Sequence, residues 1–570
     1  MKLATRTAAL CLSAALLLQP AVLAAGDTAA APLSPAQKQE DLDFLYDTLK
    51  LSHPDLFANT PESGFLTQKA AIEASLESAG DLDFALELQS LVALVGDSHT
   101  TTQYSRVDGF RFFPFSVMWF EGVWRLAAVD AAYGDTVGQV VTAVGGVEMD
   151  EITRRMAGFV SADNPIKLRR QVGQLLYVAD ILEYLEILQP GGDLTLNLQD
   201  ETGAAHTITL APLTADEMRD YSTASVNALR VGRPATAYDR SKYYFSLPLD
   251  EHTYYIQYDR CQEDPELPME DFAAQVDADL KAGGYTQVLL DLRNNGGGSD
   301  GVIHPLLAVL APSVRDGSIR LWGLIGEITY SSAIINAVMV TDMGGYLAGS
   351  PTSGSVDHFG SVNGFALPNS GLEVRHSTKW IDLSTLLETA IPYDVEPLTP
   401  DIAIEPTWAD YLAGKDTEVE YLLAHGPDFQ PTDHSADILT RGYFLTQLYD
   451  AAKAAGKDVS APERSFRDLI PFAYYAPAAY WAVEHGIALG NGQGGFEPAR
   501  PITSAEAAVM LTRFADHMDI QLSQSGTVSP EAPDWARDAL GRCGGLGLPS
   551  DPAAVMDRAQ GEALVTALTA

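Results

Sequence analysis

Apolar residues recur at helical spacing near the start of the chain. Leu42, Leu45 and Leu49 predict a helix that opens after Ser34 and ends at His53-Pro54. Leu88, Leu91, Val92 and Val95 predict a second, with Asp81 or Asp83 at its start and Gly96 at its end. Asp97-Ser98-His99-Thr100 follows at once, which puts His99 on a turn just past a helix end. From residue 104 to 214 the pattern shortens. Phe115–Phe120, Val140–Val144 and Leu194–Leu198 read as strands, with Gly145-Gly146 and Gly191-Gly192 as punctuation and a helical insert over Leu176–Leu188.

Residues 240–410 alternate between the two periods. Val288–Leu292 is a nearly continuous apolar strand of the buried parallel kind. Leu321–Ile325 and Tyr346–Ala348 are further strands, and Ser332–Val340 is a helix between them, so α/β order with at least one βαβ crossover is expected. The C-terminal part repeats itself. Ile438-Leu-Thr-Arg441, Ile502-Thr-Ser504 and Val555-Met-Asp-Arg558 each open an apolar helix after a capping Thr or Asp. Tyr480-Trp481-Ala and Asp534-Trp-Ala hold equivalent places between them, the mark of stacked modules that share a core. The fold class is therefore multidomain α/β: a helical N-terminal cap, a β-rich module, an α/β core and small α-helical C-terminal repeats.

Composition narrows the function. At 570 residues, 36 Lys+Arg stand against 76 Asp+Glu, a formal charge of −40. That balance argues against nucleic acid, where phosphate contacts need clustered cations, and against anionic lipid. Lys2 and Arg6 precede an apolar run, Ala8–Leu18, and small residues before a cut near Ala24 or Ala25. This is the pattern of a secretory signal peptide, so a secreted, extracellular protein without a transmembrane anchor is expected. Cys11 leaves with that segment. Cys261 and Cys543 are too few and too far apart for a disulfide scaffold and read as buried thiols. No paired Cys/His spacing suggests a metal, and no cofactor is implied.

Three stretches can carry chemistry. Asp291-Leu-Arg-Asn-Asn-Gly-Gly-Gly298 leaves the buried strand, and its glycines let backbone N–H groups point at one anion. Thr329-Tyr-Ser331-Ser332 follows a strand and opens a helix, where a serine and its neighbouring N–H groups can meet developing negative charge. His99 is a candidate general base. Two decoys are set aside. Gly297-Gly-Ser299-Asp-Gly301 satisfies G-x-S-x-G, but Arg-Asn-Asn separates it from the strand end. Gly490–Gly495 satisfies G-x-G-x-x-G but follows a helix.

In this order and spacing the motifs resemble those of the C-terminal processing (tail-specific) serine peptidases, over roughly residues 35–425. The resemblance extends to Gly349-Ser-Pro-Thr352, Leu367–Gly371 and Pro400–Ile404. It implies a crotonase-like α/β core, a PDZ-like module over 104–214 and a peptide or protein substrate. Where the Ser–Lys branch carries its lysine this chain has Ser355, so the similarity points to the tricorn-like Ser/His branch. There Ser331 would be the nucleophile, His99 the base, and Asp394 or its neighbour Glu396 the orienting acid; Gly297 and Ser332 N–H groups would form the oxyanion hole. From about residue 435 the chain resembles S-layer homology repeats, the last one eroded. Arg441, Arg558 and Trp481 would then contact an anionic cell-wall polymer. The expected divisions are a signal peptide at 1–24, a helical cap at 34–103, the PDZ-like module at 104–214, the catalytic domain at 215–425, a linker at 426–434 and the repeats at 435–570. The expected function is an exported serine endopeptidase held at the bacterial cell wall, with a catalytically silent peptide-binding relative as the alternative and an esterase centred on Ser299 as a remote third.

Overall fold

The computed structural model describes residues 32–383, 396–430, 437–522 and 528–570. The expected signal segment lies outside them, and no helix among the described residues is long and apolar enough to cross a membrane.

The first helix, Pro35–Ser52, starts at a reciprocal cap between Ser34 and Gln37 and stops at His53. The helix Asp81–Ala93 is closed at its start by Asp83, which accepts from Gly80 N–H; Asp81 instead takes Leu33 N–H and the Lys38 ammonium. Leu42, Leu45, Phe84, Leu88 and Leu91 pack as one core, against Val374 of a long hairpin. That hairpin, His358–Ala366 with Glu373–Ile381, pairs with Thr101–Thr102 and thereby ties the turn after the helix Asp81–Ala93 to the rest of the chain.

The next module is an antiparallel sheet in which Val123–Asp130, Val140–Val144, Leu194–Gln199 and Ala205–Leu210 lie side by side, with Phe115–Phe120 along Val123–Asp130. The expected helix at 176–188 is differently placed. Asn164 caps a helix over Pro165–Leu175, and a short one follows over Ala179–Tyr184. The break falls at Tyr177 and Val178 because this backbone pairs with Phe112 and Phe113 in β fashion.

A six-stranded sheet forms the centre, in the order Tyr244–Pro248, Thr253–Tyr258, Gln287–Asp291, Arg320–Ile325, Tyr346–Gly349, Ile402–Ala403. Every pair but the first is parallel. All five residues of Gln287–Asp291 are buried, as a strand covered on both faces requires. The helix Ser332–Asp342 crosses from Arg320–Ile325 to Tyr346–Gly349. Cys261 and Cys543 are both buried free thiols.

The C-terminal helices Arg441–Ala454, Ser504–Met518 and Arg558–Thr569 start at Thr440, Thr503 and Asp557, whose side chains accept from the first-turn backbone. Their leading segments interlock: Leu439 N–H donates to Met556 O and Ile502 N–H to Leu439 O. This bundle rests on the central sheet's helices. Phe472 packs on His304 with ring centres 5.2 Å apart, and Tyr474 N–H donates to Asp342 O at 2.8 Å, at the far end of the helix that begins beside Ser331.

Candidate active site

The glycine turn is fixed by its own side chains. Asn295 is fully buried; its amide donates to Tyr258 O, and its carbonyl accepts from Gly297 N–H at 2.9 Å. Gly297 has φ +97°, and a Cβ there would lie 2.8 Å from both Ser331 Cβ and Tyr330 O. Only glycine lets the turn approach the serine this closely.

The strand Arg320–Ile325 delivers the serine. Past Ile325, Thr329 Oγ1 donates to Leu292 O and accepts from Gly326 N–H, which draws the loop against the glycine turn. Tyr330 N–H then donates to Asn295 O. Ser331 follows with φ +55° and ψ −130°. A non-glycine residue in such a conformation costs on the order of 1–3 kcal/mol and persists where its surroundings over-determine it, commonly at functional positions. Ser332 Oγ is occupied, donating to Gly298 O at 2.8 Å. Ser332 N–H is the first of its helix, where no intrahelical acceptor exists, and a Cβ on Gly297 would sit 3.2 Å from it.

His99 meets this loop from the N-terminal region. Its ring stacks on Tyr330, the residue before Ser331, with centroids 4.6 Å apart; His358 stacks on the ring system at 5.5 Å. Both ring nitrogens are buried without a hydrogen-bond partner among the described residues. Asp97 organises the turn: Oδ1 accepts from His99 N–H at 2.9 Å and lies 3.8 Å from His99 Nδ1, while Oδ2 accepts from Thr100 Oγ1. His53 Nδ1 accepts from Asp55 N–H, so the His53 proton is on Nε2 and faces Asp97 Oδ2 at 3.3 Å. Burial pushes the His99 pKa down to about 4, against the pull of Asp97 and with help from His358 and Lys167.

A second set of groups comes from the β-rich module. Tyr330 OH and Ser98 Oγ are 2.6 Å apart, and Ser98 Oγ donates to Asp163 Oδ2 at 3.0 Å. Asp163 is pushed up to about 6 by burial, with Lys167 pulling against it. Asn164 binds Ser353 O and Ser355 Oγ, both at 3.1 Å, so Ser355 is tied to the module. Three residues on, Lys167 Nζ sits 3.9 Å over the Tyr330 ring, its pKa lowered to about 8 chiefly by burial. Replacing Lys167 with Met removes one of the charges that disfavour the imidazolium. Carbon-13 NMR of labelled histidine is expected to show His99 titrating near pH 4 in the parent protein and at higher pH in the variant; an unmoved titration contradicts the coupling.

The expected residues are thus only partly brought together. Ser331, Ser332 and Gly297 come together, and His99 reaches their loop by stacking on Tyr330, with no hydrogen bond to Ser331. Gly297 N–H is turned to Asn295 Oδ1, so it is not aimed at an oxyanion in this conformation. Asp394 lies outside the described residues, and Glu396 is exposed, with its side chain on no described partner. Asp97, Ser98, Asp163, Lys167, Tyr330 and His358 are additions that no spacing signalled, apart from the run Asp97-Ser98-His99.

The polymer-contact residues are placed differently from expectation. Trp481 is fully buried among Tyr449, Phe514 and His517 and is a core residue of the bundle. Arg441 is also buried; its guanidinium donates to Leu489 O at 2.5 Å and lies 4.9 Å from the Phe496 ring centre, so it braces the next loop. Arg558 stands 4.5 Å over the Tyr443 ring.

Residues 465–508 match the S-layer homology domain family. Among solved structures, that of a CPAF mutant superposes with a TM-score of 0.50 at 13% identity, covering 70% of this chain and 99% of that one. The chain shares this fold. Lower-scoring matches include the photosystem II D1 C-terminal processing protease, at 13% identity and TM-score 0.32 over 67% of this chain and 98% of that one. The tricorn protease matches at 15% identity and TM-score 0.31, over 69% of this chain and 37% of the other. A comparison with curated protein sequences gives no match.

Proposed function

We propose that the chain is an exported serine endopeptidase of the C-terminal processing type, held at the bacterial cell wall by its C-terminal repeats. The observation that carries this reading is the buried imidazole of His99, stacked on the residue that precedes a positive-φ serine. Ser331 Oγ attacks the peptide carbonyl while His99 takes its proton. With its pKa near 4, His99 is neutral over the range in which a peptidase works and is ready to accept. Asp97, held by His53 and Thr100, is the described carboxylate beside the ring and favours the imidazolium that forms. Ser332 N–H supports the oxyanion, and Gly297 N–H joins it once released from Asn295. His99 then returns the proton to the leaving amine, and water repeats the sequence on the acyl-enzyme.

The cell-wall half rests on the family match over 465–508 and on the interlocked helix starts. One experiment addresses both halves. Incubated with purified bacterial cell walls and sedimented, the protein is expected to carry casein-cleaving activity into the pellet. Activity left in the supernatant contradicts the anchor. Binding to walls without cleavage in either fraction favours the silent peptide-binding alternative.

A further inference from the structure

A cavity of about 750 Å³ lies between the β-rich module and the central sheet. One wall is the loop Gly326–Ile328, which leads to Ser331; the others include the strand Phe115–Phe120, the helix Pro165–Leu175 and the segment 223–238. Six cationic side chains line it: Arg169, Arg170, Arg230, Arg233, Arg293 and Lys415. In a chain with a formal charge of −40, that concentration runs against the overall balance.

Three of the six are neutralised. Arg293 is bound by Asp291, Asp416 and Glu418; Arg169 pairs with Glu327; Lys415 stands 3.7 Å from Glu420 and 3.9 Å from Asp410. The other three have no carboxylate within ion-pair distance among the described residues. Arg230 donates to Tyr411 O and lies over that ring at 4.3 Å, and Arg233 donates to Tyr238 O. Arg170 makes no hydrogen bond to a described residue, and the charge of Glu327 acts on it against burial. Against these three, Glu405 is the lining carboxylate without a described cation. The intervening wall is aromatic, with Trp119, Phe120 and Tyr177.

We propose that this cavity binds acidic side chains of the substrate polypeptide, with Arg170, Arg230 and Arg233 receiving carboxylates while the aromatic wall takes apolar neighbours. The guanidinium fork suits a carboxylate and is weakly hydrated, so it surrenders little on burial. The proposal rests on the peptidase reading for the word substrate, but binding can be tested without turnover.

The full-length Ser331→Ala protein is titrated with two peptides carrying an uncharged dye and an amidated C-terminus, one alternating Glu and Val, the other Gln and Val. Fluorescence anisotropy is expected to show the Glu peptide binding about 10-fold tighter or more, with the gap closing at high salt. Arg170→Gln combined with Arg230→Gln is expected to remove the gap and leave the Gln peptide unchanged, whereas Arg170→Lys keeps most of it. Thermal melts show that the variants are folded. Equal binding of the two peptides overturns the proposal. So does a gap that survives the double substitution. Covalent labelling of Ser331 in the parent protein reports separately on the peptidase reading, so the two can fail independently.

Discussion

Ser331→Ala is expected to lower kcat/KM for an unstructured protein substrate by at least about 10⁴-fold, because without the hydroxyl no acyl-enzyme forms. The loss is expected to be specific to position 331. Ser332→Ala removes a hydroxyl already given to Gly298 O, and leaves its N–H in place. Ser299→Ala alters a residue whose backbone N–H is bound to Cys261 O, on a short turn beyond the glycines. Both should keep measurable turnover. Alanine at position 331 carries the same Cβ and so the same backbone strain as serine, which means that thermal stability should change little. A fall in activity matched by a fall in melting temperature would point to misfolding instead of lost chemistry.

Arg293→Met is expected to have the largest effect on stability. The guanidinium is largely buried and meets Asp291 at 2.6 Å, Asp416 at 2.8 Å and Glu418 at 3.1 Å, and Tyr255 OH also donates to Asp291. These carboxylates hold the arginine's pKa well above its usual value, although burial opposes them. Methionine fills much of the space but leaves three buried acids facing one another. Breaking a buried ion pair from one side typically costs about 3–5 kcal/mol. Urea denaturation at neutral pH is expected to show a loss of that order. The loss should shrink as pH falls, because the stranded carboxyls have raised pKa values in the folded variant and are neutralised before those of the unfolded chain. A variant as stable as the parent at neutral pH would contradict this expectation. Arg293 also links the strand Gln287–Asp291 to Asp416 at the start of the helix Thr417–His425, so the glycine turn should loosen with it.

The elements around the site were legible because their signals are local. The nearly continuous apolar run Val288–Leu292 marks a covered strand, found at Gln287–Asp291, and Thr440, Thr503 and Asp557 mark helix starts by the hydrogen bonds that their side chains alone can make. His99, Gly297 and Ser331 stood out for the same reason: each sits where an element ends. Residues whose role depends on another part of the chain did not. Lys167 and Asp163 belong to the module and reach the Tyr330 loop only through tertiary packing. The helix at 176–188 was misplaced because its apolar residues also serve a β contact with Phe112 and Phe113. Trp481 and Arg441 carry polar atoms that suit ligand recognition, yet the same side chains fill the bundle and brace its loops. Sequence alone does not separate these uses, since both call for a large side chain at a fixed register.

The central claim is that the Ser331 hydroxyl is activated by His99. Reacting the protein with a fluorophosphonate and mapping the adduct by peptide mass spectrometry tests it most directly. The account predicts a single adduct on Ser331, formed fastest above the His99 pKa and slowed at least about 100-fold in His99→Ala. An adduct on Ser299 or Ser332, or labelling of Ser331 at an unchanged rate without His99, would contradict it.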